Sequence, residues 1–67
     1  MITSREIMGH LREAQERGLN LYWRRFDSNG YSARIIGART RKGTVEVLVL
    51  NTGEWKAVTT ADAFYIQ

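Results

Sequence analysis

The chain has no cysteine and no proline, and its one histidine is His10. Without cysteine there is no disulfide framework and no thiolate metal site, and a lone imidazole is not a ligand set, so no cofactor is expected. The longest aliphatic run, Val47 to Leu50, falls far short of the roughly 20 residues a membrane helix needs. The N-terminus also lacks the apolar segment of a signal peptide. These absences exclude a membrane partner and make the cytoplasm the expected compartment.

The scarcest feature, locally, is negative charge. Residues 19–43 hold a single carboxylate, Asp27, against six of the ten cationic side chains: Arg24, Arg25, Arg34, Arg39, Arg41 and Lys42. Residues 1–18 balance three arginines against three glutamates, and residues 44–67 are acidic by two, so the net charge of +3 arises in the middle of the chain. Tyr22, Trp23, Phe26 and Tyr31 are interleaved with those cations. Clustered guanidiniums attract phosphate, and aromatic faces offer stacking to unpaired bases.

With 67 residues, the chain reads as one domain spanning 1–67. A domain near this size buries only roughly 60% of the surface its unfolded chain exposes. At 43% hydrophobic and 25% charged residues it is nevertheless too apolar for the disordered class.

Thr3 and Glu6 have capping-box spacing, and Ile2 with Ile7 fits a hydrophobic staple. Ile7, Met8, Leu11 and Ala14 then recur at helical spacing until Gly18, which predicts an amphipathic helix over about 4–17. After Gly18 the period changes to two. Leu19, Leu21 and Trp23 alternate with polar neighbours in a strand over about 19–26, which Asp27-Ser28-Asn29-Gly30 turns into a second strand over 31–38. Within it Tyr31, Ala33 and Ile35 share one face and Ser32, Arg34 and Ile36 the other, with a bend or bulge at Gly37. Arg39 to Gly43 reads as a turn. Further strands are expected over 44–50, 55–59 and 64–66.

A helix followed by five short antiparallel strands is an α+β, mainly β arrangement. Its most economical form is a strongly bent sheet closed into a barrel, with the helix plugging one end. Leu19-Asn20-Leu21-Tyr22, Gly30, Ala33-Arg34-Ile35-Ile36-Gly37 and Val45 to Asn51 resemble successive strands of SH3-like barrels of the Sm-like (Hfq-type) family. That resemblance implies an RNA-binding class of partner. Val58 to Ala63 stands where the family has a basic-aromatic signature, so neither its uridine pocket nor its ring assembly is implied. Tyr22, Gly30, Arg34 and Glu54-Trp55-Lys56 are similar to the barrel of WYL domains.

The expected function is a non-enzymatic binding domain for RNA or single-stranded DNA. The candidate contacts are Arg24, Arg25, Arg34, Arg39, Arg41, Lys42, Tyr22 and Phe26, with the 39–43 segment foremost. The alternative is a protein-interaction module that docks an acidic protein surface, such as a phage- or mobile-element-encoded inhibitor or adaptor. An oligomeric barrel enzyme or ligand carrier ranks below both, since no nucleophile-base pair is apparent. Trp23 and Trp55 are expected in the core, Asp62 as a turn cap, and Leu48, Leu50, Val58 and Tyr65 as apolar surface open to a homo-oligomer.

Overall fold

The computed structural model describes residues 2–26 and 32–67, so the expected turn at 27–30 and Tyr31 lie outside the described residues. The elements are α1 (Ser4–Glu16), β1 (Leu21–Arg24), β2 (Ser32–Arg41), β3 (Thr44–Val49), β4 (Trp55–Ala57) and β5 (Ala63–Ile66). All five strands join one antiparallel sheet in the order β4-β3-β2-β1-β5. The expected closure into a barrel does not occur. β4 and β5 are opposite edges that do not pair, and α1 covers a sheet face across β1, β2 and β3 instead of plugging a barrel mouth.

Local chemistry accounts for α1. The Thr3 hydroxyl accepts the Glu6 N–H, and the Glu6 carboxylate accepts the Thr3 N–H in return, completing the capping box. At the other end Gly18 adopts φ 68°, and the Leu19 and Gly18 N–H groups reach back to the Ala14 and Gln15 carbonyls. This Schellman closure needs a left-handed residue, which glycine supplies without a Cβ clash. Ile7, Leu11 and Ala14, spaced four and three apart, form the buried stripe. Met8 lies outside it and is exposed.

The sheet supplies the other half of the core: Leu21 and Trp23 from β1, Ala33 and Ile35 from β2, Val45, Val47 and Val49 from β3, and Val58 beyond β4. Val58 is therefore core rather than open surface. Between Ile35 and Gly37 the register of β2 against β3 slips by one, because Ile35 faces Val49 whereas Gly37 faces Leu48. The extra residue is Ile36. Its side chain lines a small groove with Met8, Leu11, Arg12 and Gln15 of α1, so it lies on the helix side and not, as alternation alone predicts, with Ser32 and Arg34. Beyond the bulge β2 continues through Arg41. The turn is then only Lys42-Gly43, and Arg39 and Arg41 are strand residues.

One carboxylate ties the sheet's far corner together. Asp62 accepts hydrogen bonds from the Trp23 indole Nε1–H (3.0 Å), the Phe26 N–H (2.9 Å) and the Thr59 N–H (3.0 Å). It caps the Thr59–Asp62 turn as expected, and in addition gives the buried Trp23 its polar partner. Partial burial alone would raise the Asp62 pKa. The backbone N–H groups of Thr59 and Phe26, together with the Thr59 side chain and the Trp23 indole, outweigh that and hold it below the usual carboxylate value.

Nothing lies within 4 Å of a Cβ built at Gly9 in mid-helix, so Gly9→Ala should raise stability by about 1 kcal/mol in urea melts; an unchanged or lower midpoint refutes it. Asp62→Ala strands the Trp23 N–H and should cost about 1–3 kcal/mol. Because the folded pKa of Asp62 is depressed, its ionic contribution is present above the unfolded value of about 4 and disappears as pH falls below it. Wild-type should therefore lose more stability than Asp62→Asn between neutral pH and pH about 3; parallel losses would contradict the assignment.

Candidate nucleic-acid interface

The sheet face turned away from α1 carries most of the candidate residues. On β1, Tyr22 and Arg24 alternate with the buried Leu21 and Trp23 and therefore point outward. Tyr22 stands opposite Arg34 of β2 on one side and Tyr65 of β5 on the other. The two tyrosine rings stack at 5.4 Å between centroids with planes 17° apart. A row Tyr65, Tyr22, Arg34 thus crosses three strands, and Arg24 lies two residues along from Tyr22. Of these, Tyr65 is the residue that the sequence alone places only among the apolar surface residues. Its alternation within Ala63–Ile66 was the available signal, but only the β1–β5 register reveals its neighbour.

Because of the bulge, Arg34 before Ile36 and Arg39 and Arg41 after it emerge on this same outer face. Their circumstances differ. The Arg39 Nε–H donates to Glu46 Oε1 at 2.8 Å, and its guanidinium lies 4.1 Å from the Trp55 ring centroid. Trp55 is not in the core. It stands opposite Leu48 on the outer face, half-buried, with its ring edge over Gly37, where an added Cβ would meet it at 3.5 Å. Arg39 therefore clamps β2, β3 and β4 together, a structural role that a loop position would not have given it, and Glu46 compensates its charge. The expectation that the 39–43 segment is three loop cations is corrected to one neutralised strand residue, one exposed strand arginine and one exposed turn lysine.

Lys42 has φ 50° and Gly43 φ 78°, the two positive values of a two-residue hairpin turn. A left-handed conformation costs an ordinary L-residue roughly 1–2 kcal/mol, and asparagine, aspartate or glycine would bear it more easily. A lysine here is thus dearer for the fold than a polar turn residue. Arg24, Arg34, Arg41 and Lys42 are exposed and, among the described residues, make no ion pair with a carboxylate. Arg41 lies seven positions after Arg34 along β2, on the order of 20 Å of strand. The outer face therefore presents an aromatic pair flanked by Arg24 and Arg34, then a cationic hairpin tip farther along.

Arg25 and Phe26 sit apart. Arg25, half-buried just past β1, places its guanidinium 5.5 Å from the ring centroid of the inward-facing Trp23. Phe26 is 78% exposed while its N–H is anchored to Asp62. They lie at the end of β1 rather than on the outer face. Among the described residues no group of three His, Asp or Glu side chains is arranged to hold a metal ion, and no helix is long and apolar enough to cross a membrane. No family model, curated protein or solved structure matches the chain, so the observed helix and five-stranded antiparallel sheet, compatible with a small barrel-like fold, stand on their own geometry.

Proposed function

We propose that the protein is a small binding domain for single-stranded nucleic acid, RNA or single-stranded DNA, and that its contact surface is the outer face of the sheet. One observation carries this reading: Tyr22 stands in register between Tyr65 and Arg34, with Arg24 close by, and among the described residues no carboxylate pairs with either arginine. Stacking on an aromatic face is tolerant of base identity, and the flanking guanidiniums neutralise phosphates on either side of the stacked base. Arg41 and Lys42 extend the track along β2 to the hairpin tip. Arg39 contributes by holding Trp55 and the β2–β4 framework rather than by meeting phosphate. A helix and five antiparallel strands in this order are compatible with the Sm-like resemblance, which favours RNA within the class. A second reading, docking to an acidic protein surface, draws on the exposed Phe26 beside Arg25. Such docking would give a complex with a host protein that survives nuclease treatment.

Fluorescence anisotropy with a labelled single strand over a salt series tests the main reading. Log affinity should fall with log salt by about 0.7 per phosphate contact, and replacing Arg24 and Arg34 by Ala should lower that slope by about 1.4. Tyr22→Ala should weaken binding by about 1–3 kcal/mol with the slope unchanged. Lys42→Asn should stabilise the fold while lowering the slope by about 0.7, which separates lost contact from lost structure. Absence of binding at low salt, or slopes indifferent to all three arginine and lysine changes, would sink the proposal.

A further inference from the structure

The two edges of the sheet are unlike. β4 carries Lys56 at its centre, a charge of the kind that discourages strand addition. β5 reads Ala63-Phe64-Tyr65-Ile66, with no charge and no proline, and among the described residues no helix or loop pairs with its free side. Asn20 and Gln67 exchange both backbone hydrogen bonds, so by alternation Tyr22 with Tyr65 and Arg24 with Ala63 form the other bonded pairs of this ladder. The N–H and C=O groups of Phe64 and Ile66 therefore point away from β1, and among the described residues no backbone group meets them. Beside this edge runs a groove of about 310 Å³ lined by His10, Glu13, Arg17 and Leu21 together with Phe64, Tyr65 and Ile66 of β5 itself.

We infer that the occupant of this edge is a second copy of the chain, joined β5 to β5 across a two-fold axis into one ten-stranded antiparallel sheet. Self-pairing is geometrically closed here. Placing Phe64 opposite Ile66 of the second copy, and the reverse, makes two hydrogen-bonded pairs from the four outward-facing residues. Tyr65 then meets its own counterpart in the central non-bonded pair, where side chains come closest. The stack of Tyr22 on Tyr65 becomes a ladder of four tyrosines across the dimer. On the opposite face Phe64 and Ile66 of each copy, which pack against their own core, stand beside Ile66 and Phe64 of the other, so the two grooves adjoin. The strand itself brings no like charges together, and the groove offers both signs through Glu13 and Arg17, which are paired at 3.6 Å. A two-fold interface of this kind is isologous, so it closes at two copies and leaves no free β5 edge to propagate. The inference does not depend on nucleic-acid binding.

Sedimentation equilibrium of the full chain without nucleic acid tests it, with circular dichroism confirming that each variant folds. Wild-type should dimerise. Tyr65→Lys and Tyr65→Glu should each weaken the dimer at least about tenfold, since each sets like charges directly opposite, while an equimolar mixture of the two should dimerise again. Ile66→Pro removes an outward N–H without touching the β1–β5 ladder and should also give monomers. A wild-type that stays monomeric at roughly 100 μM overturns the proposal. So does a dimer indifferent to Ile66→Pro, or a Lys and Glu mixture that fails to associate.

Discussion

One extra residue in β2 decides which side chains share a surface. Side chains in a strand alternate with period two, so a single insertion moves everything after it to the other face. Before Ile36, even-numbered residues of β2 point away from α1; after it, odd-numbered ones do. Remove that slip and Arg34 would lie on one side of the sheet with Arg39 and Arg41 on the other, while Ala38 would leave its place against the core. Arg34, Arg39 and Arg41 share one face of the sheet only because of it.

Two clamps on opposite faces hold the sheet in this arrangement. On the core side, Asp62 links the β4–β5 connection to β1 by accepting from the Trp23 indole and the Phe26 backbone. On the outer side, Arg39 packs on Trp55 and is held by Glu46, so β2, β3 and β4 are joined by a cation over an aromatic ring. Each tryptophan of the chain thus has a polar group that orients it, and among the described residues no buried side-chain nitrogen or oxygen is left without a partner.

Much of this was legible beforehand where the cause is local. The capping box at Thr3 and Glu6, the glycine at the end of α1, the order of one helix and five strands, and the irregularity at Gly37 follow from residues within a few positions of each other. Asp62 as a turn cap was legible for the same reason. The errors share another origin. Large apolar side chains usually belong to the core, yet the face of Trp55 is set by pairing with Leu48, and Arg39 is a strand residue because the ladder with β3 runs on to Arg41. Economy favours closure into a barrel, whereas α1 already covers the sheet's apolar face.

The amino-acid order alone settles the helix and its ends, the alternation that makes strands, and the accumulation of cations between residues 19 and 43, since each is a property of near neighbours along the chain. Which cations stay exposed, which one is neutralised, and which aromatic stands beside Tyr22 are settled by hydrogen-bond registers between residues far apart in sequence. Tyr65 lies 43 positions from Tyr22, and the pairing that brings them to 5.4 Å exists only once the sheet has assembled. Register is a collective outcome of many backbone bonds and of the apolar face they must bury, so no short segment encodes it by itself.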